Sequence, residues 1–169
     1  MISRRTLCLC LVASSSLIAL PAAAESWRTY RNERFGTKIE YPDRFRSGRP
    51  PDNAGGLAFT SQDGAKFSVW GSLNVLEHDL KGLEEFLDED RPSSERVTYR
   101  ARGENWIVLS GTRGNTVFYQ RHLLSHSGSI VNGFEIVYPA RLEKAYDAIV
   151  TRMSRSFAAG RGENTEGEP

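Results

Sequence analysis

Beyond its first 24 residues the chain has no cysteine: Cys8 and Cys10 are the only two in 169 residues. The rest of the sequence therefore excludes a disulfide-stapled scaffold, a cysteine zinc site and a thiol nucleophile. Long hydrophobic runs are also missing. After Ala24 no apolar stretch approaches 18 residues, so no helical membrane span is expected in the mature protein. Neither sign of charge dominates. Of 22 basic and 21 acidic residues, only Arg4 and Arg5 lie within residues 1–24. The remainder carries a net charge of −1, which argues against nucleic acid as a partner. No G-x-S-x-G elbow is present, and no Gly-rich phosphate loop follows a strand. Val108-Leu109-Ser110-Gly111 and His126-Ser127-Gly128-Ser129 read as hairpin chemistry. No catalytic residue and no cofactor is expected. Apolar residues at 39% and aromatics at 10% do suffice for a packed core.

What is present begins with a leader. Arg4 and Arg5 form a positive n-region, residues 7–20 an apolar h-region, and Ala22 and Ala24 the small residues of a cleavage site before Glu25. Residues 1–24 are expected to be a cleaved signal peptide, 25–157 one globular domain and 158–169 a disordered tail. Ser3-Arg4-Arg5-Thr6-Leu7 resembles the start of a twin-arginine export motif. Paired arginines are ordinary in n-regions, so the general secretory route is preferred. The expected location is the periplasm or the cell exterior of a Gram-negative type cell.

The mature chain is punctuated for strands. Short strands are expected at 27–30 and 37–41, then a 14-residue loop at 43–56 rich in proline, glycine and arginine. Strands 57–61 and 66–73 flank Asp63-Gly64, a hairpin signal of the type I′ kind. Asp79 can cap a helix over 79–90, with Leu80, Leu83, Phe86 and Leu87 at helical spacing. Strands at 97–102, 106–110, 116–124 and 130–138 have short links and imply an antiparallel meander. On the third of them Val117, Tyr119 and Leu123 face one way, Phe118 and Leu124 the other. A sheet apolar on both faces needs cover on both. A last helix over 141–157 carries Leu142, Ala145, Ile149 and Met153 as its stripe, with Tyr146 and Phe157 on the edges. The fold class is α+β: an antiparallel sheet of about six to seven strands flanked by helices 79–90 and 141–157.

Tyr30-Arg31-Asn32-Glu33-Arg34-Phe35-Gly36, followed by Ile39, Tyr41-Pro42 and Phe45, resembles the opening of small secreted bacterial proteins of unknown function. Their fold resembles the sandwich of the PsbP extrinsic subunit of photosystem II and of a Ran-binding nuclear-transport factor. The resemblance spans residues 27–157. It implies a PsbP-like α/β/α sandwich and a binding or accessory role without conserved chemistry, and it carries over no functional residue.

Several constellations compete for a role. His122 and His126 lie on or just past a strand, where four residues span about 13 Å, too far for one metal ion. Glu77, His78 and Asp79 read as a charged helix entrance. Asp88-Glu89-Asp90 lacks the spacing and central glycine of a calcium loop. No metal site is expected. Residues 28–49 hold seven basic side chains against three acids, and 77–95 hold eight acids against two basic residues. These read as two solvated surfaces facing one another, or as a basic face for a partner. The binding residues singled out are Arg44, Arg46 and Arg49, planar donors suited to carboxylate or phosphate on an unusually long loop. The resulting expectation is an exported non-catalytic binding domain contacting a protein or an anionic envelope component. The alternatives are a small hydrolase with an unrecognised site and a small-ligand carrier using a pocket between sheet and helix.

Overall fold

The computed structural model describes residues 25–165. The expected leader lies outside them. β1 (Trp27–Arg31) and β2 (Lys38–Pro42) form a separate antiparallel hairpin. The main sheet has seven strands, all antiparallel. They are β3 (Arg46–Ser47), β4 (Gly56–Thr60), β5 (Lys66–Leu73), β6 (Glu95–Arg102), β7 (Trp106–Arg113), β8 (Thr116–Ser125) and β9 (Ile130–Pro139), in the spatial order β3-β4-β5-β9-β8-β7-β6. Helix α1 (Leu80–Glu89) joins β5 to β6, and α2 (Glu143–Ser156) follows β9.

The strand period of two splits the apolar residues between two cores. Phe59, Phe67, Val69, Val117, Phe134, Ile136 and Tyr138 point to one face, where Tyr146, Ile149, Val150 and Met153 of α2 and Ile39 of β2 meet them. Phe59 and Phe67 stack across the β4–β5 register, ring centroids 4.3 Å apart. The other face carries Ile107, Leu109, Phe118 and Leu124, covered by Leu83 of α1. The sheet is thus the middle layer of an α/β/α sandwich, with β1–β2 and α2 together forming one outer layer.

Four details differ from expectation. The β4–β5 connection is not a type I′ turn, because Gly64 has φ +94° and Asp63 is not left-handed. Asp63 instead accepts hydrogen bonds from Ser61 Oγ (2.6 Å) and the Ala65 N–H (3.1 Å), closing a wider loop. The 43–56 segment is not one loop: β3 lies within it and pairs with β4. The buried stripe of α2 is Tyr146, Ile149, Val150 and Met153, continued by Phe157. Ala145 is exposed and Leu142 lies in a single 3₁₀ turn before the helix. Finally, residues 158–165 are not free chain. Ala158 bridges to Lys38, the Glu163 N–H donates to Glu33 O at 2.9 Å, and Arg31 donates to Arg161 O at 2.9 Å. Backbone polar groups supply this docking, so an apolar pattern could not reveal it. The approach requires glycine at 36: φ is +68°, and a Cβ there would collide with the Gly160 carbonyl.

Candidate functional site: an apolar cleft beside α1

Asp79 caps α1, its Oδ1 accepting the Gly82 N–H at 2.7 Å, and Asp90 ends the helix after ten residues. So short a helix covers only part of its face of the sheet. Leu83 reaches the β7–β8 core, while the surface over β5 and β9 is left open. The result is a cleft of about 290 Å³. Trp70, Ser72, Val131 and His122 of the sheet line it, opposite Leu83, Phe86 and Leu87 of α1. Leu73 at the end of β5 and Val75 and Leu76 of the β5–α1 connection form its rim. Asn74 and His78 complete the lining, which includes no Asp, Glu, Lys or Arg side chain.

The floor depends on a glycine. Trp70 lies across Gly133 of β9, its register partner, and a Cβ at 133 would sit 2.5 Å from Trp70 Cζ2. The indole in turn meets the edge of the His122 ring, centroids 5.7 Å apart at 69°. His122 is only 5% exposed, and its Nε2 has no hydrogen-bond partner. Burial, helped by the positive charge of Arg91, pushes its pKa down to about 4, so the ring is neutral at physiological pH. Arg91 is itself engaged by Asp88 (2.7 Å) and Glu95 (3.3 Å).

A second imidazole faces the same cleft. His78 packs on Phe86, centroids 5.6 Å apart, and its Nε2 is also buried without a partner. The connection holding it is well tied. Asn74 Nδ2 donates to the carbonyls of His78 and Gly128, both at 2.8 Å, and Asn74 Oδ1 accepts from the His78 N–H at 3.2 Å. Glu77 takes φ +51° to make the turn. Val75 and Leu76 are thereby held outward, 78% and 63% exposed, beside Phe86 at 42%. Clustered apolar exposure of this kind marks a contact surface far more often than scattered exposed residues do.

The residues singled out from sequence are elsewhere. Arg44 pairs with Glu25, lies 3.8 Å from Asp63 and sits over the Tyr146 ring at 5.2 Å. It ties the start of the domain to α2. Arg46 donates to Asp43 O at 2.8 Å, and Arg49 is exposed. Arg44 and Arg46 share a small depression with Ser61, Gln62 and Asp63; Arg49 does not line it. The basic and acidic segments do not face one another. Glu84 and Asp88 of α1 pair with Arg100 of β6, whereas Arg28 pairs with Asp43 on the opposite outer layer. His126 leaves His122 behind: its Nε2 lies 3.1 Å from Gly160 O, at the docked end of the chain. Of Glu77, His78 and Asp79, the carboxylate of Asp79 is spent on the helix cap. The sequence offered a pocket between sheet and helix only as an alternative and named no residue of it, although Val75-Leu76 carried a signal. Two large apolar residues sit side by side in the connection between a strand and a helix cap, where polar residues are the rule.

No helix among the described residues is long and apolar enough to cross a membrane. No family model and no curated protein matches the chain. Solved structures do. The solution structure of cyanobacterial PsbP (CyanoP) from Synechocystis sp. PCC 6803 is similar at 13% identity, over 88% of this chain and 98% of that one, with a TM-score of 0.58. The Ran-binding protein Mog1p from Saccharomyces cerevisiae is similar at 10% identity, over 80% and 96%, with a TM-score of 0.55. At such identities the likeness is one of fold, and the fold of this chain is the PsbP-like α/β/α sandwich.

Proposed function

We propose that this protein is an exported, non-catalytic binding domain that holds a small apolar group in the cleft between α1 and the sheet. One observation carries the reading: two imidazoles, of His78 and His122, line an apolar cleft, and the Nε2 of each is buried without a partner. Buried polar atoms are ordinarily satisfied, and a polar group on an occupant of the cleft would supply the missing partner. The exposed rim of Val75, Leu76 and Phe86 supports it, because a ligand or partner seated there would bury them. Ligand sites of this kind are mostly apolar with a few placed polar groups.

The non-catalytic part draws support from the histidines. Among the described residues no imidazole nitrogen is hydrogen-bonded to a serine hydroxyl or a carboxylate. Export rests on the leader of residues 1–24, and Glu25, the expected new N-terminus, is engaged by Arg44. N-terminal sequencing of exported protein is expected to begin at Glu25; a mature chain retaining Met1 would refute export by this leader.

The binding test uses N-phenyl-1-naphthylamine, an uncharged probe that brightens in apolar surroundings. A single saturable site is expected. Ser72→Trp places an indole in the cleft from an exposed strand position and is expected to abolish the signal without unfolding the domain. Absence of a saturable site, or equal brightening in the variant, would refute the reading. A second contact, of Arg46 and Arg49 with an anionic envelope component, is supported by the exposure of both side chains. Retention of the protein on anionic vesicles that falls as salt rises, and is lost in the double alanine variant, is its test.

A further inference from the structure

Resting on that reading, we infer that the cleft selects an uncharged ligand with one hydroxyl group on a compact apolar body, the hydroxyl hydrogen-bonded to Nε2 of His122. The geometry assigns each part. Trp70, Leu83, Leu87 and Val131 line the cleft for the body, and His122 lines it with an Nε2 that is buried without a partner. A charged head is disfavoured because no ionised side chain lines the cleft, so a carboxylate or ammonium group would lose its water without gaining a counter-charge. His122 is itself neutral, pushed to about pKa 4, and supplies no charge. A neutral imidazole nitrogen carries either a hydrogen or a lone pair. A hydroxyl answers both tautomers, as acceptor to one and donor to the other, whereas a carbonyl answers only the first. The size follows from the volume. A cavity of roughly 150 Å³ accepts benzene, so about 290 Å³ suits a body near the size of two fused rings.

The experiment compares naphthalene, 2-naphthol and 2-naphthoate by calorimetric titration of the mature protein. In parallel, the His122 ring nitrogens are followed by ¹⁵N NMR. 2-Naphthol is expected to bind about tenfold more tightly than naphthalene, as a buried hydrogen bond to an otherwise unsatisfied group warrants. 2-Naphthoate is expected to bind at least about tenfold more weakly than 2-naphthol. The Nε2 resonance is expected to move with 2-naphthol and not with naphthalene. His122→Phe is expected to erase the preference for the hydroxyl. Should that variant misfold, the wild-type NMR shift decides independently. Naphthalene binding as tightly as 2-naphthol with Nε2 unmoved would mean that a buried water alone satisfies His122. That overturns the hydroxyl assignment while the cleft remains a binding site. Tightest binding by 2-naphthoate would overturn the uncharged class. If none of the three binds and the naphthylamine probe also fails, the cleft reading itself falls.

Discussion

A buried imidazole titrates against the fold, and His122 makes that measurable. Its folded pKa of about 4 lies below the ordinary 6.5. Between those values the unfolded chain takes a proton that the folded chain refuses. Its contribution is therefore complete above about pH 6.5 and is lost as pH falls to about 4, by roughly 3 kcal/mol for a shift of this size. Urea unfolding at pH 7.5, 5.5 and 4.5 is expected to show this loss in the wild type and a flatter dependence in His122→Phe. Equal slopes would mean that the ring is hydrated in the folded state. At this scale the sequence was partly legible. Alternation on β8 put Phe118 and Leu124 on one face, and His122 shares their parity. That its Nε2 would find no partner was not legible, because the partner's absence depends on Trp70 and Gly133, distant in sequence and brought together by the β5–β9 register.

Elements were more legible than residues, for a physical reason. Strand and helix periods are local properties of the chain, and eight of the nine strands were anticipated within a few residues of their observed ends. β3 escaped because two residues carry no period. The end of the chain escaped because backbone atoms hold it: Ala158 and Lys38 exchange hydrogen bonds of 3.0 and 2.9 Å. Two variants separate these contributions. Ile149→Asp puts an uncompensated charge into the α2 core and is expected to prevent folding. Truncation after Phe157 removes the bridge, the Glu163–Glu33 bond and the Arg31–Arg161 bond, and is expected to cost about 2 kcal/mol while leaving the fold intact. Truncation after Thr165 keeps these contacts and serves as the reference. Thermal or urea unfolding reads all three. A truncation after Phe157 as stable as the reference would show that the docked segment contributes nothing in solution.

The whole molecule divides its labour between its two faces. One face is closed by α2 and the β1–β2 hairpin around a large aromatic core, with Arg44, Glu25, Asp63 and Tyr146 tying its layers together. The other is closed by a helix of only ten residues, and the uncovered remainder is the cleft. The α/β/α layering could be read from a sheet apolar on both faces. How far α1 extends across it could not be read, because that depends on where the helix crosses the sheet. The most direct measurement is a methyl NMR titration of leucine- and valine-labelled protein with 2-naphthol. Ring-current shifts are expected to concentrate on Leu83, Leu87 and Val131 in the cleft and on Leu73, Val75 and Leu76 at its rim, while Val117 and Val150 in the opposite core stay still. Shifts spread across both faces, or confined to the α2 side, would contradict the cleft as the binding site.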